Sequence, residues 1–458
     1  MQQEKNIRQL VLEMLLAVTK KEGGEYSHKV IRDVQNKYNY LSTQEKAFMK
    51  RLFEGTLERM IELDYCIDCY SKVKVNKMKP VIRNIMRMGV YQILYMDSVP
   101  DSAACNESVK QAQAKGFATL KGFVNGVLRT IARNKDAIPY PDEKKDYRKY
   151  LSVTYSMPEW IVDLWIGQFG QETTTAMLQG LLQERPVTIR MRTEDEKAVE
   201  ALRADLEKQG GTLKRHPYLS YAYVIEKTDD LTQLSGFEEG AFVIQDISSM
   251  LAVEALGLPK MDNQGTLKIL DICAAPGGKS MLAADILNHA DIDYMLEARD
   301  ISEYKVELMQ ENFNRCHLNK AKAVAWDALE PDERWLGQAD VVIADIPCSG
   351  LGVIGRKRGI KMTPQAVQDI VELQEKILKV AASYVKKGGK LLFSTCTVNK
   401  DENEAHVKWI QDTLKMTPVS LNGTLPGLVH SPTTQQGFVQ LIPGMQDTDG
   451  FFISVFEK

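Results

Sequence analysis

Two thiols and a carboxylate carry the strongest chemical signal in this chain. Asp345-Ile346-Pro347-Cys348-Ser349-Gly350 follows the apolar run Asp340-Val341-Val342-Ile343, which reads as a buried parallel strand ending at Asp345. Pro347 stops that strand and Gly350 permits a tight turn, so the Cys348 thiol is presented beyond a strand's carboxyl end, where open α/β sheets take their ligands. Alone, such a cysteine is more often an inert loop residue. A second thiol, Cys396, follows another strand pattern, Leu391-Leu392-Phe393-Ser394-Thr395. A thiolate is a strong nucleophile when its setting is polar and electropositive. Residue chemistry does not say which of the two would attack.

A third loop completes the set. Leu267–Ile272 reads as a strand, Cys273-Ala274-Ala275-Pro276-Gly277-Gly278-Lys279-Ser280 as a loop of small residues, and 280–288 as the helix after it. Glycines let the backbone approach a ligand, and the helix start offers free N–H groups. The loop is neither G-x-G-x-x-G nor the phosphate-cradling G-x-x-x-x-G-K-[ST], whose first position here is Cys273. Asp300 ends the next strand, where a carboxylate can accept both hydroxyls of a ribose, and Asp327 follows the strand after, within reach of an adenine amino group. A ribose acid without a phosphate cradle fits S-adenosylmethionine better than NAD or ATP.

The elements that must position these loops lie in the second half of the chain. From residue 241, strands near 241–245, 267–272, 292–299, 321–325, 340–345 and 390–395 alternate with helices, which predicts a parallel Rossmann-like sheet over 241–458, closed by an antiparallel hairpin at the terminus. The first part differs. Segments 3–20, 28–38, 42–72, 79–95, 101–114 and 118–134 place apolar residues at three-to-four spacing, so residues 1–138 read as an all-helical domain. Ser42 with Glu45 is a capping box. Between them, 150–240 reads as a small α+β unit: helices at 158–169 and 171–182, a strand at 187–192, a helix at 194–209 and two short strands. Arg190, Arg192, Lys214, Arg215 and His216 are candidates to touch phosphate from the rim of that sheet, with a plain connector as the equal alternative.

Composition bounds the partners. At 458 residues the chain is too long for one core, and two or three domains are expected. No run of about 18 apolar residues exists and the first residues lack a signal-peptide core, so a membrane partner is not expected. Seven cysteines without framework spacing point to a reducing cytoplasm. The Cys66-x-x-Cys69 pair lacks a second pair or nearby histidines and is not expected to hold metal. The net charge of −3 conceals +8 on residues 1–138, from 23 cationic against 15 anionic side chains, and −11 on the remainder. A basic module joined to an acidic one suggests that the first meets a polyanion.

Asp271–Lys279, Asp345–Gly350 and Phe393-Ser394-Thr395-Cys396-Thr397, with Gln245–Ser249 ahead of them and Glu402-Asn403-Glu404 behind, resemble in order and spacing the RNA 5-methylcytosine methyltransferases. Gly89-Val90-Tyr91-Gln92-Ile93-Leu94-Tyr95, Val99-Pro100 and Phe123–Arg129 resemble the NusB family, whose helical domain binds RNA. The combination, running from about residue 3 to the terminus, is similar to the branch of the family that acts on 16S (small-subunit) ribosomal RNA. It implies a monomeric cytoplasmic enzyme, S-adenosylmethionine as cofactor held by Cys273–Lys279, Asp300, Asp327 and Asp345, and an RNA rather than DNA substrate. It also implies that Cys396 attacks carbon 6 of a cytosine, Cys348 assists release, Asp345 meets the edge of the base, and Lys279 supplies a charge beside both. A non-catalytic RNA-binding antitermination or assembly factor is one rival reading, and the intact Asp345, Cys348 and Cys396 set weighs against it; a transfer RNA cytosine-5 methyltransferase is another, and the NusB-like domain speaks against that. Ile346 stands where alanine is usual, expected to add bulk beside the base, and Lys305 where arginine is common. Gly352–Lys361, with Arg356, Lys357, Arg358 and Lys361, reads as a flexible basic loop that grips phosphate and closes over the site.

Overall fold

The computed structural model describes residues 6–20, 27–183, 186–193, 195–227, 231–261, 265–355 and 362–458. By its contacts the chain divides into two compact units, one running to Leu182 and taking in Ile354 and Gly355, the other running from Gln183 to Val353 and from Met362 onward.

The first unit is helical: α1 (Ile7–Val18), α2 (Ser27–Lys37), α3 (Thr43–Glu58), α4 (Met60–Tyr70), α5 (Pro80–Tyr95), α6 (Asp101–Ala114), α7 (Lys121–Arg133), α8 (Tyr147–Thr154) and α9 (Glu159–Leu182). The apolar stripes of α1 to α7 converge on one core in which Leu12, Leu15, Leu52, Phe53, Ile85 and Leu128 are fully buried. The capping box forms: the Ser42 hydroxyl accepts from the Glu45 N–H at 3.3 Å, and the Glu45 carboxylate accepts from the Ser42 N–H at 2.9 Å. The single helix expected over 42–72 is two, broken at Arg59, whose ψ of 14° leaves the helical range. Gly55 lets α3 and α5 touch, because a Cβ there would fall 1.9 Å from the Tyr91 hydroxyl. Gly170, at φ 80°, turns α9 between the two segments read from the sequence.

The second unit holds two sheets. The small one comprises β1 (Val187–Met191), β2 (Thr212–Arg215), β3 (Ala222–Glu226) and β4 (Phe242–Ile244), in the order β2-β3-β1-β4 and antiparallel throughout, with α10 (Glu196–Lys208) packed on it. β4 corrects one expectation: the strand near 241–245 pairs with β1 rather than entering the parallel sheet. Apolar alternation marks a strand but does not name its neighbour.

The large sheet follows α11 (Ile247–Glu254). It is built from β5 (Leu267–Asp271), β6 (Tyr294–Asp300), β7 (Ala321–Ala325), β8 (Ala339–Asp345), β9 (Val385–Thr395), β10 (Thr417–Pro418), β11 (Phe438–Leu441) and β12 (Phe451–Glu457). Its order is β10-β12-β9-β8-β5-β6-β7, with β11 against β12. β5 to β9 are parallel, and the terminal hairpin runs antiparallel against β9. Helices α12 (Gly278–His289), α13 (Glu303–Arg315), α14 (Pro364–Tyr384) and α15 (Glu404–Trp409) complete it. Val341, Val342, Ile343, Leu391, Leu392 and Phe393 are wholly buried, as continuous apolar strands of a covered parallel sheet must be. β5 leads outward to β6 and β7, whereas β8 and β9 lie on its other side. The carboxyl ends of β5 and β8 therefore border the crevice where such sheets bind ligands. No helix among the described residues is long and apolar enough to cross a membrane.

Candidate active site

The loops after β5, β8 and β9 meet at that crevice. β8 and β9 pair with Asp345 opposite Ser394, so the residues just beyond each strand are neighbours. The result is a thiol pair: the Cys348 and Cys396 sulfurs are 3.1 Å apart and neither is in a disulfide. Two thiols at that separation ionise in sequence, since a second negative charge beside the first is strongly opposed. The hydrogen bond shared with Cys396, followed by burial, pushes the Cys348 thiol well above its ordinary range.

Asp345 is held from two sides. Its Oδ2 accepts from the Lys279 ammonium at 2.5 Å and its Oδ1 from the Ser394 hydroxyl at 2.9 Å. Lys279, buried at the first turn of α12, also donates to the Ser249 hydroxyl at 2.9 Å and lies 5.2 Å above the Phe451 ring. The glycines before it allow this placement: Gly277 adopts φ 98°, and the backbone enters the helix directly after it. Behind the loop, Ser280 donates to Asp271 at 2.6 Å, and burial pushes the Asp271 carboxyl up to about 7. Ser249 and Ser394 entered the sequence reading only as members of the Gln245–Ser249 and Phe393–Thr397 stretches, with no role of their own, and Phe451 lies on a strand whose pairing only the fold reveals.

The cofactor candidates fall at neighbouring strand ends. Ala274 donates to the Arg299 carbonyl at 2.7 Å, drawing the Cys273–Gly278 loop to the end of β6. Cys273 is largely buried, which pushes its thiol up, and Ala275 packs on the core while Pro276 is exposed. Asp300, 7% exposed, accepts from the Ser302 N–H at 3.0 Å, and Lys305 approaches its other oxygen at 3.4 Å. Asp327 lies beyond β7, where the Trp326 N–H donates to the Asp300 carbonyl at 3.1 Å; its own Oδ1 caps the turn at the Leu329 N–H, 2.9 Å away. The donor set suits a ribose and a cationic head rather than a phosphate. Its carboxylates are acceptors, and the loop's one cation, Lys279, is engaged by Asp345. S-adenosylmethionine therefore fits the residues present.

Three expectations change. Ile346 is 3% exposed and packs into the core under the sheet, so its bulk is absorbed there instead of beside a base. Arg190 and Arg192 do not face phosphate. Both pair with Asp285 on α12; Arg190 also donates to Gln245 at 3.0 Å, and Arg192 to the Gly240 and Cys316 carbonyls at 2.8 Å. His216 is buried, whereas Lys214 and Arg215 are exposed but associate with Glu226 and with Tyr223 and Glu196. Gly352 is not flexible: it is buried, its N–H donates to the Cys396 carbonyl at 3.1 Å, and its carbonyl accepts from Gly450 at 2.9 Å. The cations Arg356, Lys357, Arg358 and Lys361 lie outside the described residues. In the helical unit, Lys121, Arg129 and Arg133 are exposed along α7 at helical spacing, with the Asn125 amide oxygen accepting from Arg129 at 2.9 Å.

Comparison with known proteins covers the whole chain. Residues 258–457 match the family 16S rRNA methyltransferase RsmB/F, residues 5–133 the NusB family, and residues 157–232 the ferredoxin-like domain of the RsmF/B-like methyltransferases. The Probable ribosomal RNA small subunit methyltransferase B of Bacillus subtilis is 33% identical over 99% of this chain and 99% of its own. Ribosomal RNA small subunit methyltransferase B of Escherichia coli O1:K1 / APEC is 28% identical, with both chains covered completely. The crystal structure of PH0851 shares the fold across 99% of this chain and 98% of its own, with a TM-score of 0.77 at 21% identity. With its helical NusB domain, ferredoxin-like sheet and methyltransferase sheet in this order, the chain belongs to the ribosomal RNA small subunit methyltransferase B family, whose members depend on S-adenosylmethionine.

Proposed function

We propose that the protein methylates carbon 5 of a cytosine in 16S ribosomal RNA through a covalent cysteine adduct, acting as a monomer. The observation that carries this reading is the thiol pair set beside a Lys279–Asp345 ion pair at the sheet's crevice. Carbon 5 of cytosine is too weak a nucleophile to take a methyl group unaided. Addition of the Cys396 thiolate to carbon 6 converts the ring into an enamine, and carbon 5 becomes the attacking atom. Asp345 stands at the base's N3 and amino edge, where it relays the proton that the activated ring requires. Lys279 keeps Asp345 oriented and balances its charge. When bound, S-adenosylmethionine supplies an electrophilic methyl group; Cys273–Gly278, Asp300 and Asp327 would hold it. Loss of the carbon 5 proton then lets the carbon 6–sulfur bond break, and Cys348, adjacent to Cys396, assists that release.

A base must leave its stack to reach a buried thiol, so an unpaired or easily opened cytosine is the expected target. The exposed cations of α7, together with Arg356, Lys357, Arg358 and Lys361 as read from the sequence, are the groups proposed to bind RNA phosphates, and binding should weaken steeply with salt. The deciding experiment is bisulfite sequencing of 16S rRNA from cells with and without the protein, joined to transfer of radiolabelled methyl from S-adenosylmethionine to unmodified rRNA. One cytosine should lose protection when the protein is absent. An unchanged bisulfite pattern with no label transferred would reject the reading.

A further inference from the structure

Glu402 and Asn403 stand next to each other before α15, and neither is used in the chemistry above. Both are fully buried. The Glu402 carboxylate accepts from five neutral donors: the Ser349 N–H at 2.8 Å, the Ser349 hydroxyl at 2.5 Å, the Gln374 amide at 3.2 Å, the Thr397 hydroxyl at 3.3 Å and the Asn399 amide at 3.1 Å. Gln374 also donates to the Pro347 carbonyl at 2.9 Å. Glu402 thus reaches the residues on both sides of Cys348, one directly and one through Gln374. Asn403 does the same for Cys396: its oxygen accepts from the Thr395 hydroxyl at 2.6 Å, and its amide donates to the Thr397 carbonyl at 3.0 Å.

A buried carboxylate is expensive unless its oxygens are satisfied, and here five donors satisfy them; any residue without those acceptors would leave the donors of both loops unpaired. Every Glu402 hydrogen bond ends on a loop that carries a thiol or on the helix behind those loops, while Asn403 also donates to Gln440 on β11 at 2.7 Å. We infer that the Glu402–Asn403 turn is the positioning device of the thiol pair, fixing the separation of Cys348 and Cys396 so that one can act while the other stands beside it. Glu402 grips both loops, through Ser349 on one and Thr397 and Asn399 on the other, and Asn403 adds Thr395 and the Thr397 carbonyl, so the spacing is set from one turn rather than across two independent strands.

The inference rests on the proposed roles of the cysteines for its consequence, but not for its geometry, and the test separates the two. In the full-length protein, diamide accepts two electrons and two protons from a pair of neighbouring thiols, leaving a disulfide and the reduced hydrazine. Peptide mapping then measures how fast Cys348 and Cys396 cross-link. Glu402→Gln keeps the shape but replaces one acceptor oxygen with a donor facing donors. It should slow this cross-link about tenfold or more and lower kcat similarly, with KM for S-adenosylmethionine unchanged. Ser349→Ala, which removes only the hydroxyl's contacts to Glu402 and Thr397 and leaves the carboxylate in place, should give a smaller effect in the same direction and guards against a Glu402 variant that fails to fold. Wild-type cross-linking rates in both variants would overturn the inference, as would losses no larger than the unfolded fraction seen in thermal melts. If cross-linking slows as expected while the wild-type protein methylates no cytosine, the positioning stands and the proposed reaction falls.

Discussion

Cys348 and Cys396 are chemically alike and differ in what surrounds them. They share one hydrogen bond but are proposed to act at different steps, so removing each thiol should have unlike effects. Cys396→Ala is expected to abolish methyl transfer and any covalent RNA adduct. Cys348→Ala should leave adduct formation intact and stall release, giving a protein–RNA band that survives denaturing electrophoresis; the reverse pattern would exchange the roles. Lys279→Met leaves Asp345 without its charge partner in a part-buried site, and kcat should fall by about a hundredfold or more, read in a methyl-transfer assay. His406 is a different case. Burial pushes its imidazole down to about 4, below the ordinary 6.5. The unfolded chain therefore binds a proton that the folded one refuses, and stability is lost as pH falls from about 6.5 to about 4, by about 3 kcal/mol at most. Asp271 works oppositely: its carboxyl, raised to about 7, makes stability decline as pH climbs from the ordinary carboxylate range toward 7. Denaturant melts of His406→Asn between pH 4 and 7 should lose the acid-side decline and show the Asp271 slope alone.

At the level of elements, the site is built from three strand ends, and these were readable because each motif is continuous in sequence. Asp345–Gly350 and Cys273–Lys279 each join a strand end to a breaker and a reactive or charged group within a few residues, and Thr395–Thr397 joins a strand end to a thiol. What could not be read is the pairing across distance. Asp285 sits within an ordinary helical stretch, and nothing near it announces Arg190 and Arg192, over ninety positions earlier. Glu402 was visible only as part of a resembling stretch, because its donors come from Ser349 and Gln374. β4 took another sheet for the same reason. The Asp285 cluster links the small sheet to α12 inside a buried, low-dielectric space, so Asp285→Ala strands two guanidinium groups and should cost about 3–5 kcal/mol in unfolding experiments. Gly352→Ala should also destabilise, by about 1–3 kcal/mol, because a Cβ there would meet the Gly450 carbonyl at 2.1 Å.

Across the whole molecule, the charge asymmetry and the change from helical to alternating periodicity anticipated a basic helical part followed by an α/β part, and the family matches agree with that order. The sequence carried no sign that one short stretch of the second half belongs by its contacts with the first. Ile354 and Gly355 do so, and a Cβ on Gly355 would lie 2.3 Å from the Leu181 carbonyl, which only a bare backbone can approach. Separating the protein into halves is therefore not a matter of one cut after Leu182. A fragment beginning at Gln183 would keep this excursion while losing the surface it rests on. Such a fragment should express less solubly than the full chain and recover when residues 1–182 are supplied as a second polypeptide, measured as the soluble fraction after co-expression. The two units, joined covalently at three points along the chain, would then behave as complementary pieces of one protein rather than as independent modules on a string.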